Sequence, residues 1–446
     1  MVIGGDAGGM AAATQARRLR PDLDIVALEK GDYTSYSACG IPFLVGGEVA
    51  RVADLVARSP QELRERNRID VRLRHEATSI DIERREVEVR DREHDRTIRV
   101  GFDHLMLGLG AVPRRPPLPG IDLPHVYGVQ TLTDGERLLR AAERPGCKDV
   151  VVVGGGYIGL EIAESFVRRG CAVTVVDSAP EVMRTLDPDM GRMVSDAMRR
   201  HGINVRTSAR VSAITETSVM IDGDEVAADL VVLGLGIAPN VALARDAGIE
   251  IGPSGAIAVD RRQETSVPGV YAAGDCCESL HLVSDRRVNI ALGTHANKQA
   301  RVAGTNIGGG YATFPGVVGT AVTKICDTEV ARTGLSEAEA AAAGFSYHVA
   351  RIESTTRAGY YPGSKPLTVK LLAERHSGRV LGGQIVGLEG AAKRIDVIAT
   401  VLHARMGVEE MTALDLSYAP PFAPVWDPVL IAARKAAELV AKENQP

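Results

Sequence analysis

The sequence carries, at residues 149–159, the stretch DVVVVGGGYIG. Its run of valines predicts a strand that is buried on both faces, as in a parallel sheet covered by helices. The glycines Gly154, Gly156 and Gly159 follow at once and predict a tight turn into a helix. At such a turn the backbone approaches a pyrophosphate at the helix N-terminus, and the helix packs closely on the strand. The stretch therefore predicts a dinucleotide-binding βαβ unit.

An acidic residue completes this motif. Asp177 ends the next apolar strand, about twenty residues after the glycines, where a carboxylate accepts the ribose hydroxyls of NADH and repels the 2′-phosphate of NADPH. Glu161, on the helix that follows the turn, is a further candidate contact to the cofactor. We expect NADH to be the better substrate and NADPH the poorer one.

A second copy of the unit stands near the N-terminus. Residues 2–9 read VIGGDAGG, with Gly4 and Gly9 at the outer positions of the motif and Asp6 at the middle one. Glu29 ends the following strand, at the position of a ribose-binding acid. The repeat predicts two dinucleotide sites on doubly wound α/β sheets.

Composition and charge narrow the class of protein. The chain has 446 residues, enough for about three domains. Its net charge of -5 provides no basic surface for nucleic acid or an anionic membrane, and no apolar run has the roughly 18 residues of a membrane span. The cysteines show no metal-ligand spacing, and the first residues lack the charged region of a secretory signal. We therefore expect a cytoplasmic protein that binds no metal.

One cysteine is a candidate redox group. Cys39 lies in the stretch SYSACGIPF, and the residues five positions away, Thr34 and Leu44, are not cysteines. A redox-active Cys39 must therefore pair with a sulfur or oxygen from outside the chain. Its thiolate needs a lowered pKa, which a helix N-terminus or an adjacent cofactor supplies. The alternative is an inert buried cysteine in a Gly-Pro turn.

The order of these motifs resembles the pyridine nucleotide-disulfide oxidoreductases over essentially the whole chain. Gly274 and Asp275 match the Gly-Asp pair that holds the ribityl chain of FAD in that family. The resemblance implies that the first unit binds FAD and the second binds NADH. The implied fold is α/β, with two Rossmann-like domains and a C-terminal α+β dimerisation domain. Their expected bounds are 1–112 with 250–312 for FAD, 113–249 for NAD(P)H, and 313–446 for dimerisation.

The single cysteine and the C-terminal segments are similar to the coenzyme A disulfide and persulfide reductases of this family. The similar C-terminal segments are residues 360–363, 389–396 and 418–422. The resemblance implies a homodimer in which Tyr361 and Tyr418 of one subunit reach the redox cysteine of the other. There a phenolic hydroxyl donates a proton to the departing thiolate.

The same resemblance implies a binding site for coenzyme A. Gln15 and Arg18, on the first predicted helix, and Ser35, shortly before the redox cysteine, match positions that contact coenzyme A. A guanidinium group suits a phosphate. For Arg18 and its neighbour Arg17 the alternative is a solvated helix face.

The predicted activity is reduction of a coenzyme A disulfide, persulfide or related thiol compound by NADH, with electrons passing through FAD and Cys39. Two other functions stay open. In an NADH oxidase or peroxidase Cys39 would cycle through a sulfenic acid, but those relatives carry a histidine where this chain has Ala7. In an electron-transfer or redox-sensing flavoprotein the acceptor would be a protein, and Cys39 and Tyr418 would be unnecessary. Ala38 and Phe43 depart from the coenzyme A pattern, in which asparagine and tyrosine are usual, and leave the thiol partner open.

Overall fold

The computed structural model describes residues 1–443; the last three residues of the predicted dimerisation domain, 444–446, lie outside this range. The first part of the chain forms, in order, β1 (Val2–Ile3), α1 (Ala7–Leu19), β2 (Ile25–Glu29), α2 (Ile41–Gly46), α3 (Pro60–Asn67), β3 (Ile69–Leu73), β4 (His75–Asp81), β5 (Glu86–Asp91), β6 (Arg96–Gly101), β7 (Leu105–Leu107) and β8 (Ala111–Pro113). Two short 3-10 turns, Ala38–Gly40 and Val52–Leu55, flank α2.

The middle of the chain forms β9 (Val126–Gly128), α4 (Leu132–Ala142), β10 (Asp149–Val153), α5 (Tyr157–Arg168), β11 (Ala172–Val176), α6 (Pro188–Arg200), β12 (Asn204–Arg206), β13 (Val211–Ile214), β14 (Ser218–Ile221), β15 (Asp224–Ala227), β16 (Leu230–Leu233), β17 (Ile237–Pro239) and α7 (Ala242–Asp246).

The remainder forms β18 (Val270–Ala272), β19 (Ser279–Leu280), β20 (Arg287–Val288), α8 (Gly293–Ile307), β21 (Ala321–Ile325), β22 (Thr328–Gly334), α9 (Glu337–Ala342), β23 (Tyr347–Thr355), β24 (Pro366–Glu374), β25 (Val380–Gly387), α10 (Ala391–His403), α11 (Val408–Thr412) and α12 (Pro428–Glu443).

The first nucleotide motif lies in the middle of a five-stranded parallel sheet with the order β18-β7-β1-β2-β3. Gly4 has a φ of +109°, and a Cβ there would collide with the carbonyl oxygen of Gly108. A Cβ on Gly9 would collide in the same way with the carbonyl oxygen of Gly4. The outer glycines of the motif therefore allow α1 to begin directly against β1, as the sequence predicts.

The second motif repeats this arrangement in a parallel sheet with the order β12-β11-β10-β16-β9. The valines of β10, Val150 to Val153, are all buried, as expected for a central strand of a parallel sheet covered on both faces. A Cβ on Gly159 would collide with the carbonyl oxygen of Gly154. The two copies of the motif thus share one packing geometry.

The C-terminal part forms an antiparallel sheet with the order β21-β22-β25-β24-β23, and α10 and α12 pack against it. From about residue 313 the sequence pattern predicts strands at residues 367–373 and 380–386, and the structure forms β24 and β25 there. The same pattern predicts helices at 390–406 and 428–442, which are α10, ending earlier, and α12. No helix within residues 1–443 is long and apolar enough to cross a membrane.

A buried lysine joins the start of α6 to the C-terminal sheet. The Lys370 side chain is 3% exposed, and its Nζ lies 3.1 Å from Asp187, 2.6 Å from Asp189 and 2.5 Å from Glu337. Gln384 donates from Nε2 to Asp187 and accepts from the Asp187 backbone N–H. The three carboxylates are close enough together to ligate a metal ion, but the ammonium group of Lys370 already contacts all three. The cluster is therefore a lysine-centred ion-pair network.

We expect Lys370→Met to destabilise the protein, because methionine fills the space but leaves three carboxylates without their cation. Removing one partner of a buried ion pair costs about 3–5 kcal/mol, and partial exposure of Asp189 and Glu337 favours the lower end. Lys393→Met is the control, since Lys393 is 90% exposed in its pair with Asp396 and exposed pairs contribute about 0.2–1 kcal/mol. Urea unfolding followed by circular dichroism measures both. Equal midpoints for the two variants would contradict the expectation.

Candidate active site

The carboxyl edge of the first sheet forms a cradle for a dinucleotide. Glu29, at the end of β2, accepts hydrogen bonds from the backbone N–H groups of Gly5 (2.8 Å) and Gly31 (2.7 Å). A Cβ on Gly8 would lie 3.0 Å from the carbonyl oxygen of Ala273, so the start of α1 packs closely on the segment after β18. The predicted ribose-binding acid, the glycine turn and the helix N-terminus thus lie together, and this geometry fits the adenosine diphosphate half of FAD.

The second predicted FAD contact lies on the adjoining turn. Gly274 has a φ of +86°, and its N–H donates to Oε1 of the buried Gln299 (2.9 Å). Asn289 donates from Nδ2 to the Asp275 carbonyl (2.8 Å). Burial raises the pKa of the Asp275 carboxyl, which has no hydrogen bond or ion pair within residues 1–443. An unpaired, partly buried carboxyl suits the hydroxyl groups of a ribityl chain. Sequence analysis did not identify Gln299 or Asn289, whose role is to hold this turn.

Cys39 lies on the 3-10 turn before α2, and its side chain is exposed. Neighbouring protein atoms nevertheless remove part of the water around the thiol. This burial, followed by the charges of Glu161, Asp275 and Asp6, raises the pKa of Cys39. The charged residues that act on the thiol are carboxyls, which do not supply the lowered pKa that a thiolate at Cys39 needs. A helix N-terminus or an adjacent cofactor stays the predicted source of that lowering.

Glu161 of α5 lies where the three parts of the molecule meet. Its charge acts on Cys39, and its Oε1 accepts a 2.6 Å hydrogen bond from the hydroxyl of Thr323 in β21. Burial raises the pKa of the Glu161 carboxyl. Glu161, predicted to contact the cofactor, thus lies between Cys39 and the C-terminal sheet. Its position in the sequence of α5 did not predict this location.

A cavity of about 1080 Å³ opens at the carboxyl edge of the second sheet, and Gly154, Gly156 and Asp177 line it. A Cβ on Gly156 would meet no atom within 4 Å, so the turn is open toward the cavity. Asp177 accepts hydrogen bonds from the N–H groups of Gly155 and Ala179, each at 2.8 Å. The glycine turn and the predicted ribose-binding acid therefore face one space, which fits NADH.

A further cavity, of about 430 Å³, lies beside α1 and is lined by Gln15, Arg18 and Ser35. Arg58 and Arg301 line the same cavity. Within residues 1–443, the guanidinium groups of these three arginines form no hydrogen bond or ion pair. Three unpaired cations around one cavity favour a ligand that carries phosphate groups.

The two arginines at the end of α1 have different surroundings. Arg17 is buried, and its guanidinium donates to the backbone carbonyls of Pro21, Asn67 and Arg68. The alternative of a solvated helix face is therefore wrong for Arg17, which holds α1 to the segment before β3. Arg18 is exposed and faces the cavity.

Protein-family models cover most of the chain. The model described as pyridine nucleotide-disulphide oxidoreductase matches residues 1–300, and that of the dimerisation domain of the same group matches residues 320–428. This chain belongs to the pyridine nucleotide-disulphide oxidoreductase family. The family resemblance inferred from the motif order, and the α/β fold with a C-terminal dimerisation domain, are thereby confirmed.

Several relatives of this oxidoreductase align with nearly its whole length. The NAD(P)H sulfur oxidoreductase (CoA-dependent) of Pyrococcus abyssi is 39% identical, with 97% of each chain covered. The NADH oxidase of Methanocaldococcus jannaschii is 36% identical, with 98% of each chain covered. Two solved structures are also similar. The NAD-dependent persulfide reductase from A. fulgidus has a TM-score of 0.95 at 38% identity, covering 99% of this chain and 83% of that one. The reduced CoADR-RHD of Bacillus anthracis has a TM-score of 0.97 at 32% identity, covering 99% and 80%.

The predicted catalytic tyrosines of this oxidoreductase lie in the segment matched by the dimerisation model. Tyr418 is 45% exposed, and its interaction with the Tyr360 side chain raises the pKa of Tyr418. Tyr360 is 77% exposed, whereas Tyr361 is partly buried. The structure thus brings Tyr418 together with Tyr360 rather than with Tyr361. Neither of the paired tyrosines is among the groups that act on Cys39 of the same chain.

The paired tyrosines belong to an exposed apolar area, which we call the aromatic surface. Its large exposed side chains are Tyr360, Tyr418, Phe422, Val425 and Trp426. Arg394 of α10 fixes the segment that carries them, because it forms a 2.9 Å ion pair with Asp427 and donates to the carbonyls of Thr356 and Phe422. An exposed apolar area of this kind on a fixed backbone is typical of an interaction surface.

Proposed function

We propose that this oxidoreductase uses NADH to reduce a disulfide or persulfide of coenzyme A, or a related polysulfide, with FAD as its bound cofactor and Cys39 as its redox-active thiol. One observation carries the proposal. Within residues 1–443 the exposed thiol of Cys39 has no cysteine partner, and Ser35, four positions earlier, lines the cavity that holds the unpaired Arg18, Arg58 and Arg301. Coenzyme A carries a diphosphate and a 3′-phosphate, which suit such a cavity.

The chemistry assigns a separate role to each site. FAD, when bound, accepts a hydride from NADH and supplies two electrons to a disulfide. The Cys39 thiolate attacks the substrate and forms a mixed disulfide with coenzyme A, releasing coenzyme A thiolate from a disulfide or hydrosulfide from a persulfide. Two electrons then restore Cys39 and release the second thiol. Each turnover consumes one NADH and one proton and yields two coenzyme A thiols, or one thiol and one hydrogen sulfide.

A homodimer completes the proposed site. The aromatic surface lies in the segment matched by the dimerisation model, and a second copy of the chain is the partner that we propose for it. Tyr418 of one subunit then donates a proton to the thiolate that leaves Cys39 of the other. The cysteines are free within the described residues, which accords with a cytoplasmic protein.

An anaerobic assay tests the proposed function. Purified protein should contain FAD or take it up, and NADH oxidation should occur with coenzyme A disulfide in the ratio of one NADH to two thiols. A correctly folded protein that cannot be reconstituted with FAD would refute the proposal. So would NADH oxidation that releases no thiol from coenzyme A disulfide and no sulfide from coenzyme A persulfide.

NADH oxidase activity is the second candidate function. This function is favoured by the similarity to the relative from Methanocaldococcus jannaschii, which is called an NADH oxidase. Ala7 stands against it, because it has no group to assist a peroxide at Cys39. Comparing NADH turnover by oxygen alone with turnover by coenzyme A disulfide under nitrogen distinguishes the two. Faster turnover with oxygen would favour the oxidase.

The phosphate-binding cavity leads to a prediction for binding. We expect Arg58→Ala and Arg301→Ala each to raise KM for coenzyme A disulfide by about tenfold or more, the loss expected when one charge-assisted hydrogen bond is removed. The control is Arg20→Ala, since Arg20 pairs with Asp22 and does not line the cavity. Steady-state kinetics with coenzyme A disulfide and with cystine, which has no phosphate, measures the effect. An equal loss with both substrates would contradict phosphate binding at this cavity.

A further inference from the structure

We propose that Arg184, assisted by Arg210, determines how well this oxidoreductase accepts NADPH. Arg184 neutralises Asp177 in the absence of cofactor and binds the 2′-phosphate when NADPH enters. This inference rests on the proposed NAD(P)H site and deepens it. It changes the expectation drawn from Asp177 alone, because the carboxylate that should repel the phosphate has its own cation beside it.

The contacts of Asp177 carry the first step. Its side chain is 6% exposed. The Oδ1 atom accepts from Nε (3.2 Å) and Nη2 (2.7 Å) of Arg184, and also from the Ala179 N–H. The Oδ2 atom accepts from the Gly155 N–H. The two backbone donors fix the carboxylate in place, so Asp177 cannot turn away from a cofactor.

Arg184 differs from Asp177 because its side chain is largely exposed. Its side chain is 61% exposed on the segment before α6, and Nη2 also donates to the hydroxyl of Ser178 (2.7 Å). The Gly155 and Ala179 N–H groups continue to bind the carboxylate when Arg184 leaves it. A bound cofactor therefore displaces Arg184 without leaving Asp177 unpaired.

A phosphate offers Arg184 a better partner than Asp177. Arg184, Ser178 and Arg210 line the same cavity as Gly154 and Gly156. Within residues 1–443 the Arg210 guanidinium has no hydrogen bond or ion pair. Two guanidinium groups and a hydroxyl at the ribose end provide the donors that a phosphate dianion takes in charge-assisted hydrogen bonds.

The two cofactors therefore use Asp177 and Arg184 differently. With NADH, the ribose hydroxyls donate to Asp177 and take the place of Arg184. With NADPH, Arg184 moves to the 2′-phosphate and reduces its repulsion by Asp177. Removal of Arg184 leaves the NADH contacts intact, whereas NADPH loses a cation and faces an unscreened carboxylate.

The test is the reduction of ferricyanide by NADH and by NADPH, an assay that does not require Cys39. We expect Arg184→Ala to lower kcat/KM for NADPH by at least about tenfold relative to NADH, and Arg210→Ala to lower it by a smaller factor. Arg184→Lys keeps the charge and should recover most of the loss. Arg192→Ala is the matched control, since Arg192 is similarly exposed, pairs with Glu181 and lies outside the cavity.

Binding of cofactor fragments supplies a readout that does not depend on turnover. In calorimetry, Arg184→Ala should weaken 2′-phospho-ADP-ribose and leave ADP-ribose unchanged. Loss of both fragments to the same extent, or an unchanged preference for NADH over NADPH, would overturn the assignment of Arg184. A wild-type protein that binds ADP-ribose but is not reduced by NADH would instead overturn the proposed function, and the fragment affinities would still decide the role of Arg184.

Discussion

Cys39→Ser is expected to abolish the reduction of coenzyme A disulfide while FAD reduction by NADH continues. Serine keeps the size of the side chain but forms no mixed disulfide, so only the steps at the substrate sulfur are lost. Removal of a nucleophile lowers turnover by at least about 10³-fold in enzymes that form covalent intermediates. Stopped-flow absorbance separates the two half-reactions, flavin reduction by NADH and disulfide reduction. In the variant, the flavin band should bleach on mixing with NADH and stay bleached when coenzyme A disulfide is added anaerobically.

A second thiol provides the control for Cys39. Cys326 is partly buried, and burial raises its pKa to about 11. Cys326→Ser should leave both halves of the reaction unchanged. If Cys39→Ser retains turnover of coenzyme A disulfide, the chemistry belongs to another residue. If it loses that turnover but reduces a protein acceptor such as a ferredoxin at the wild-type rate, an electron-transfer function gains support.

The sequence predicts those parts of the site that depend on local spacing. Gly4 and Gly9 lie within one turn of the chain, and so do Gly154 and Gly159. The role of each pair can therefore be predicted from the strand before it and the helix after it. Glu29 can be assigned in the same way from its distance along one βαβ unit. Each of these lies in the structure where the spacing predicts.

Contacts between distant segments could not be predicted in this way. Arg58 and Arg301 reach the cavity of Arg18 from a loop and from α8, and no periodicity relates three such positions. Tyr360 and Tyr361 are adjacent in a loop. A loop has no regular alternation of buried and exposed residues, so the sequence does not predict which of the two is exposed. Which of the two hydroxyls meets Tyr418 depends on how residues 356–364 pack against the segment around Pro420, which accepts a hydrogen bond from the Ala358 N–H.

Charge partners explain the remaining differences. Asp177 by itself predicts a site that rejects NADPH, and only the fold places Arg184 against it. Cys39 suggests a reactive thiolate, but the fold surrounds it with the carboxyls of Glu161 and Asp275 from other segments. The electrostatics of each site therefore depends on side chains that the motif does not contain.

Tyr418→Phe is expected to lower disulfide turnover by about 10²- to 10⁴-fold, the usual contribution of a general acid. Phenylalanine keeps the ring on the aromatic surface, so folding and dimerisation should survive, which sedimentation can verify. The same substitution at Tyr360 and at Tyr361 distinguishes the two neighbours. Because the Tyr360 side chain interacts with that of Tyr418, we expect the larger loss at Tyr360. A larger loss at Tyr361 would return the role to the residue that the family resemblance implies.

Subunit mixing decides whether Tyr418 serves its own Cys39 or that of the other subunit. We expect Cys39→Ser and Tyr418→Phe each to be nearly inactive on its own. If the site crosses a two-fold interface, a mixed dimer contains one site with an intact cysteine and an intact partner tyrosine, and one site with neither. Equal mixing with free exchange makes half of the dimers mixed, so about a quarter of the wild-type activity should return. Proven exchange without any recovery would show that Tyr418 acts within its own chain or does not act at Cys39.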